Sequence, residues 1–409
     1  MGAFRVYVKP FDLEGIYQTD FIEVTSDVVK LGDIKQNLDS TDYDLGIFRL
    51  SGLKITLRND HGRFSEPENN RSIFNFKKKD SQIKITWDVR ADPLTVGFFK
   101  AGECGPLSNE IEVFRGLLIE TTSTSDIESR TIDFDVLGLE SLLDRVTVPF
   151  SDISDGDDIS DVLFEILDQA PITDLLTVSS GNINPGTDQA IDVKASLENK
   201  TGKEALGSGE QLLFISQSVL TTENQIVEIK DRTPTAEVQF SFYGPASSLG
   251  SQNIIDVKKY REGFNSVVNF WAWDDTSLFA SDATSLIKFG VQKKSISADV
   301  LTNSTKRQNL LNALRTEFSN PKIELTIVAP LTPNTATLKL LDRVDVDYPT
   351  VYLPADGGIL PRWGQVKWGD FVWPVGSFEL TISQSTKFKV IGRKISVKNE
   401  TIEFDLREI

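Results

Sequence analysis

Two segments of this chain, about 270 positions apart, end in strands of the same pattern, and this internal repeat constrains the fold more than any other feature. Residues 131–136 read Thr-Ile-Asp-Phe-Asp-Val, and residues 401–406 read Thr-Ile-Glu-Phe-Asp-Leu. Each is preceded, across a polar turn, by another strand-like segment that begins with a phenylalanine, at Phe114 and at Phe388. Because this spacing is far too long for a solenoid, the repeat predicts two copies of one barrel in a single chain.

Alternation of apolar and polar residues predicts strands through the first 150 residues. Residues 53–57, 82–87 and 130–136 each alternate with a period of two, which is typical of a half-buried antiparallel strand. Several such strands in succession favour a sandwich or a barrel. We therefore expect residues 1–150 to form the first barrel, with an inserted region of loop and strand.

The pattern changes near residue 151, where helical spacing appears. Apolar residues recur at Ile159, Val162, Leu163, Ile166 and Leu167, and Pro171 should end this helix. A polar loop over 177–207 leads to a capping-box pattern at 208–211 and a helix that continues through Val219 and Leu220. Residues 226–230 and 237–242 are expected to pair as a hairpin. Residues 151–260 are thus predicted to form an α+β middle domain.

Residues 261–409 are expected to form the second barrel. Leu310, Leu311, Leu314 and Phe318 share one face of a helix over 304–318, which Pro321 stops. Strands are predicted at 323–328, 338–341 and 342–346, and two long strands run to Ile409. The predicted fold class is mainly β, with two β-barrels and inserted α+β domains.

The composition excludes several classes of enzyme. The chain has one cysteine, Cys104, and one histidine, His61, so an intrachain disulfide, a histidine-based metal site and a histidine triad all lack partners. His61 lies among turn-forming residues, which favours a surface turn. No phosphate-binding loop, nucleophile elbow or dinucleotide motif occurs. We expect no catalytic residue, no cofactor, no metal and no enzymatic activity.

The formal charge of −17 argues against a protein that grips nucleic acid through its phosphates. The negative charge is compatible with the wall of a channel through which DNA passes without binding. No stretch of about 20 apolar residues is present, so no membrane anchor is expected, and the start of the chain does not resemble a signal peptide.

The segment 349–376 is dense in tryptophan, with three of the chain's six tryptophans within eleven residues. Its spacing is typical of neither a strand nor a helix. Trp363, Trp368, Phe371 and Trp373 are therefore candidates for contact with a partner, because large apolar side chains on a loop have to be covered. The alternative is that the loop folds back as a lid on its own barrel.

The order of these segments resembles the baseplate hub, or tail hub, family of long-tailed phages and gene-transfer particles. The segments that carry the resemblance are residues 57–64, 72–74, 113–116, 265–268, 285–290, the helix to Phe318, Pro321, residues 344–346 and the closing hairpin 388–409. They cover most of the chain, and each consists of a few apolar, glycine and asparagine positions.

The resemblance implies a structural subunit of the virion, located in the tail tip or baseplate. It implies two barrels like those of the tail tube in each subunit, and a homotrimer that matches a six-fold tube above to a three-fold spike or fibre below. The implied partners are the distal tail or tail-tube protein, the tape-measure protein and a central spike or fibre protein, with DNA as passing cargo during ejection. A hydrolase or spike is fused to the hub in part of this family. Here the chain ends directly after the last strand, so we expect such a module on another polypeptide.

Two other functions are compatible with the sequence. A receptor-binding or carbohydrate-binding tail protein would show exposed aromatic side chains over a shallow groove and no duplicated barrel. A polysaccharide hydrolase would need two carboxylates about 5 to 9.5 Å apart in a cleft.

Overall fold

A computed structural model of the chain describes residues 4–409 except 39–50, 66, 69, 89–109, 120–123, 127–129, 208–210, 224, 234–236, 246, 263–266, 275, 354–377 and 383–385. Most regular structure in these residues is β, and sixteen of the described strands form one large sheet. The prediction of a mainly β fold with an α+β middle is confirmed. None of the described helices combines the length and the apolar character that crossing a bilayer requires.

The first part of the sheet is built by strands from the amino-terminal third of the chain. They are β1 Phe4–Lys9, β2 Ile22–Glu23, β3 Val28–Leu31, β4 Ile34–Asn37, β5 Gly52–Arg58, β6 Gln82–Asp88, β7 Glu110–Leu118, β8 Thr124–Asp126 and β9 Thr131–Gly138. Along β1, β5 and β9 buried residues alternate with more exposed ones, as the sequence predicts for strands with one face in the core.

The strands of this part, called here the N-terminal unit, are ordered β1-β6-β7-β9-β5-β3 and all pair antiparallel. A short 3₁₀ helix, Thr25–Asp27, joins β2 to β3. Because β2 pairs with β1 and β3 pairs with β5, residues 22–31 connect the two edges of the unit. The backbone N–H of Val24 donates to the carbonyl of Val6 at 2.9 Å beside this connection.

The middle of the chain contains short helices and one hairpin. Its elements are α1 Ile159–Leu167, α2 Gly202–Gly207, α3 Leu212–Ile215, β10 Ser218–Glu223 and β11 Ile226–Asp231, with 3₁₀ helices at Leu139–Arg145, Ser180–Asn182 and Lys194–Leu197. The predicted helix before Pro171 is confirmed, and its five predicted apolar residues are all buried.

The remaining strands and helices follow in the carboxy-terminal part. They are β12 Phe240–Tyr243, β13 Asp256–Glu262, β14 Phe270–Trp273, β15 Phe279–Ser281, α4 Ala283–Phe289, β16 Lys293–Ile296, α5 Ser304–Phe318, β17 Ile323–Pro330, α6 Pro333–Ala336, β18 Arg343–Leu353, β19 Phe378–Ile382, β20 Lys387–Ser396 and β21 Thr401–Glu408. Helix α5 is confirmed with the predicted face buried.

Six of these strands form a C-terminal unit with the order β12-β18-β20-β21-β17-β13. In chain order and in sheet order this matches β1, β3, β5, β6, β7 and β9, so β9 and β21 occupy equivalent places. The predicted equivalence of the two closing strands is therefore confirmed. One pairing differs, because β12 runs parallel to β18 whereas β1 runs antiparallel to β6.

The edges of the C-terminal unit also approach each other. Asn253 and Ile254, just before β13, both donate backbone N–H groups to the carbonyl of Tyr243 at the end of β12. The Asn253 side chain accepts from the N–H of Tyr243 at 2.6 Å. That each unit closes into a barrel like that of a tail tube stays a prediction.

The buried apolar residues among those described form two separate hydrophobic cores. One lies inside the sheet and combines residues from both units, including Phe134 and Phe404. The other combines the middle of the chain with β14, α5 and neighbouring residues. The expected boundary at residue 260 falls inside β13, and pairing places β12 and β13 beside the C-terminal strands.

Three local predictions are wrong. The strand expected at 338–341 does not form, because β18 begins only at Arg343. The helix expected to continue through Val219 and Leu220 ends at Ile215, and both residues lie in β10. The hairpin expected between residues 226–230 and 237–242 does not form, because β11 pairs with β10 and β12 pairs with β18. The capping-box residues 208–210 lie outside the described residues.

Candidate interaction site

The two units meet where β4 of the N-terminal unit pairs with β20 of the C-terminal unit. Ile34 and Lys35 lie opposite Ile395 and Lys394 in an antiparallel register. Lys394 forms an ion pair with Asp33 at 2.9 Å. The hydrogen bond to Asp33 raises the pKa of Lys394 above its ordinary value.

A glycine on β20, Gly392, lies at this junction close to two side-chain oxygen atoms. A Cβ atom on Gly392 would lie 2.8 Å from Oδ1 of Asn37 and 2.9 Å from Oδ2 of Asp405. The register of β20 against β21 shifts between Val390 and Gly392. A side chain at position 392 would therefore require the side chains of Asn37 on β4 and Asp405 on β21 to shift.

A buried arginine fixes the same junction. The Arg393 guanidinium donates to Oε1 of Gln36 on β4 and to the carbonyl of Leu338 at 2.6 Å. Both Arg393 and Gln36 are buried. A charged donor held by two oxygens in a buried place ties β4, β20 and the segment before β18 into one arrangement.

Beside Arg393 lies a polar cleft of about 140 Å³ where both units and the middle of the chain meet. Buried Glu140 accepts a hydrogen bond from Thr222 of β10 at 2.5 Å. Arg115 of β7 donates twice to Glu112, at 2.9 and 2.5 Å. These charged groups therefore have partners within the chain, and the residues that line the cleft come from both units and from the middle of the chain.

A second ionic cluster links the middle of the chain to the C-terminal unit. A guanidinium nitrogen of Arg232, which follows β11, lies 2.5 Å from Glu317 of α5. Lys389 of β20 donates to the carbonyl of Arg232 at 2.8 Å. The Arg407 guanidinium lies 5.5 Å from the centre of the Phe318 ring. Arg232, Lys389 and Arg407 are all buried.

The pKa values in this cluster follow from burial and charge. Burial opposes ionisation of Glu317, but Arg232, Lys389 and Arg407 favour its carboxylate form, and its pKa lies below the ordinary value. Burial lowers the pKa of Lys389 to about 8, although Glu317 acts in the opposite direction. One carboxylate thus compensates several buried cations.

The predicted contact residues Trp363, Trp368, Phe371 and Trp373 lie outside the described residues. The beginning of their segment, residues 349–353, belongs to β18 and is not part of a loop. The other three tryptophans, Trp87, Trp271 and Trp273, are buried.

His61 lies in an exposed turn, as predicted, while Cys104 lies outside the described residues. Within the part of the chain that the structure describes, no group of three or more histidine, cysteine, aspartate or glutamate residues could hold a metal ion. Neither the junction residues nor the ionic cluster was predicted from the sequence. The only sequence signal for the cluster is that Lys389 and Arg407 occupy the polar positions of their strands.

No protein-family model matches the chain. No curated protein matches it either. Solved structures do match, among them a tail protein from Neisseria meningitidis, with a TM-score of 0.54, 10% identity, and coverage of 99% of this chain and 97% of that chain. The 43 kDa tail protein of prophage MuSo2 from Shewanella oneidensis matches with a TM-score of 0.52, 11% identity, and coverage of 100% and 98%.

A third match is the prophage tail protein gp18 from Listeria monocytogenes, with a TM-score of 0.50, 9% identity, and coverage of 99% of this chain and 94% of that chain. All three alignments extend over nearly the full length of both chains, so they include the middle of the chain as well as both units. The resemblance inferred from the sequence is thereby confirmed at the level of architecture: the chain has the fold of these phage tail proteins.

Proposed function

We propose that this chain is a structural, non-enzymatic subunit of a phage tail tip, the baseplate hub. The observation that carries the proposal is the same strand order in two units of one chain, joined through β4 and β20. The fold shared with phage tail proteins supports a place in the virion tail.

In this function three subunits form a homotrimeric ring. Two similar units in each chain give six units around the axis, which matches a six-fold tail tube on one side and a three-fold spike or fibre on the other. The ring lines a channel for the tape-measure protein and the passing DNA. The net charge of −17 suits such a channel, because a like-charged wall does not retain DNA.

The partners in this function are the distal tail or tail-tube protein, the tape-measure protein and a central spike or fibre protein. Trp363, Trp368, Phe371 and Trp373 are proposed contacts to one of them. In the contact function, Trp368→Ala leaves a subunit with a normal melting temperature that fails to assemble. A variant that melts early in isolation would instead indicate a lid on the chain's own fold.

The duplicated strand order favours a hub over a receptor-binding or carbohydrate-binding protein, for which a duplicated unit is not expected. The test is the copy number in assembled tails. An averaged electron-microscopy map of tails that contain this chain should show three copies in one ring at the tail tip. Six copies per ring, or a position away from the tail tip, would overturn the proposed function.

A further inference from the structure

The junction inside the chain has two halves, and each half has an equivalent elsewhere in the same chain. One half is the outer edge of β20, where Lys394 and Ile395 pair with β21 on one side and with β4 on the other. The other half is β4 itself, which follows β3 directly. Because the two units share one strand order, the equivalent of each half can be identified from the residues that it faces on the neighbouring strand.

The equivalent of the β20 edge is β8. In the C-terminal unit Lys394, Ile395 and Ser396 lie opposite Glu403, Ile402 and Thr401 of the closing strand. In the N-terminal unit Thr124, Ser125 and Asp126 lie opposite Asp133, Ile132 and Thr131 of its closing strand. Strand β8 therefore occupies the position of the second half of β20. Among the described residues, β8 pairs only with β9.

The equivalent of β4 is the second half of β13. Leu31 lies opposite Ile55 of β5, and Lys35 lies opposite Gly52. The chain thus advances four residues from β3 to β4 while β5 advances three, so β3 and β4 together contain one extra residue. Val257 and Arg261 lie opposite Ile327 and Glu324 of β17, again with one extra residue.

The strands β5 and β17 pair with the closing strands in the same register, with Ile55 opposite Phe134 and Ile327 opposite Phe404. Arg261 is thus the equivalent of Lys35, and Tyr260 is the equivalent of Ile34. Among the described strands, β13 pairs only with β17 and stands at the end of the sheet.

We propose that β13 of one copy of this chain pairs antiparallel with β8 of a second copy, and so repeats between chains the β4–β20 junction found within each chain. The inference deepens the proposed hub function and rests on it. It assigns the register as well, with Arg261 opposite Thr124 and Tyr260 opposite Ser125, as Lys35 lies opposite Lys394 and Ile34 opposite Ile395.

Two physical features support this occupant. An edge strand carries a row of backbone donors and acceptors that another strand can satisfy, which makes it a template for pairing. The sequences are complementary in charge, because β13 has one basic residue more than acidic ones, with Lys258, Lys259 and Arg261 against Asp256 and Glu262, while β8 ends at Asp126, with Glu128 two residues later. Lys258 and Lys259 also form ion pairs within the chain, with Glu403 and Glu324. Opposite charges on paired strands favour association, and like charges oppose it.

Such a contact is head-to-tail, because a C-terminal unit meets an N-terminal unit. Contacts of this kind generate a closed ring or an open filament, depending on the rotation at each step. If the step between chains equals the step within the chain, all six units of a three-chain ring are related by similar rotations. The matching register of the two junctions is what makes these steps similar.

The test uses engineered disulfides in tails assembled with the full chain, in a Cys104→Ser background. Thr124→Cys with Arg261→Cys places the two thiols on directly opposite residues of the proposed strand pair, within the distance that a disulfide spans. Oxidation should link chains into species of two and three copies on a denaturing gel, and reduction should return them to single chains.

Two control variants make the result interpretable. Lys35→Cys with Lys394→Cys tests the junction within the chain and should give an internal disulfide without linking chains. Thr124→Cys with Lys258→Cys is out of register by three residues, or about 10 Å along a strand, and should not link chains. Melting temperatures equal to that of the Cys104→Ser parent establish that the variants are folded.

The two proposals fail in different ways. A three-copy ring in which the internal control oxidises but Thr124→Cys/Arg261→Cys does not would overturn the strand pairing and leave the hub function standing. Equal linkage by the out-of-register pair would also overturn the assigned register. A copy number other than three would overturn the hub function itself, and the inference with it.

Discussion

The two units differ in the chemistry of one pair of equivalent positions. In the N-terminal unit Leu117 of β7 lies opposite Leu137 of β9, and Leu117 belongs to the hydrophobic core of the middle of the chain. In the C-terminal unit the equivalent pair is Lys389 of β20 and Arg407 of β21, both buried near Glu317. The same two strands are therefore covered in both units, by apolar packing in one and by an ionic cluster in the other.

This difference shows that the shared strand order determines which strands are buried in each unit. It does not determine whether apolar or charged side chains bury them. Apolar packing is non-directional and tolerates changes of similar volume. A buried ionic cluster requires each partner, because removal of one leaves an uncompensated charge in a poorly solvated place. A single substitution in the ionic cluster of the C-terminal unit should therefore lower the stability more than one in the apolar contact of the N-terminal unit.

The largest effect is expected where the two units are alike, at the central phenylalanines of the closing strands. Phe134 and Phe404 are fully buried, with Phe74 6.4 Å from the first ring and Phe242 5.4 Å from the second. Phe134→Asp and Phe404→Asp should each lower the free energy of unfolding by at least about 4 to 5 kcal/mol, through lost packing and a buried unpaired charge. Urea denaturation measures this, with Phe→Leu at each position as the control. A large loss at only one position would contradict the equivalence of the units.

The ionic cluster should come next. Glu317→Ala leaves Arg232 and Lys389 without their carboxylate and should cost about 3 to 5 kcal/mol. Leu117→Ala, in the apolar counterpart, should cost about 2 to 5 kcal/mol. The distinguishing measurement is rescue: Arg232→Met, Glu317→Leu, Lys389→Met and Arg407→Met together should recover most of the stability. If this fourfold variant is no more stable than Glu317→Ala, packing geometry and not charge determines the stability of this region.

The ionic cluster should also make the stability of the chain depend on pH, which the apolar contact around Leu117 should not. The pKa of Lys389 is lowered from 10.5 to about 8 in the folded chain, so between pH 8 and 10.5 the unfolded state binds more protons. Stability from this group should therefore rise with pH above 8 and stay level below it. Denaturation at pH 7 to 9.5 should show a rise in the original chain relative to Lys389→Met. A difference that is constant with pH would refute the assignment.

The smallest effects are expected on the outer face of the closing strands. The equivalent residues Asp135 and Asp405 bind different partners, since Asp135 pairs with exposed Lys54 at 3.4 Å and Asp405 accepts from Thr326 at 2.6 Å. Lys54→Ala should change the free energy of unfolding by less than about 1 kcal/mol. Thr326→Val should cost about 1 kcal/mol through the lost hydrogen bond. A cost for Lys54→Ala above that for Thr326→Val would reverse this order.

Local patterns in the sequence predicted individual helices and strands, although not their pairing. The spacing of Leu310, Leu311 and Leu314 gave the correct face of α5, and the alternation around Phe134 and Phe404 gave both closing strands. Strand pairing between distant segments could not be predicted in the same way. Strand β12 pairs with β18 about a hundred residues later, and alternation in either strand does not specify that partner.

The candidate site was not predictable, because its members are individually ordinary. Lys389 and Arg407 stand at positions where a strand with one face in solvent would carry charged residues. In the folded chain both are buried, and they contact Glu317 and Phe318 at the end of α5 and the carbonyl of Arg232. The junction at Gly392 and Arg393 likewise depends on β4, which lies more than 350 residues earlier in the chain.

The pairing of β4 with β20 also bears on how a ring of such chains would assemble. Each junction held within a chain forms at an effective concentration in the millimolar range or above, whatever the number of copies in the cell. Three of the six junctions in a three-chain ring would then form as each chain folds. Only the other three would depend on encounters between chains, so closure would require three molecules to meet instead of six. In the proposed hub, fusion of two units into one chain would thus make the ring less sensitive to dilution, which would suit a component needed in few copies per particle.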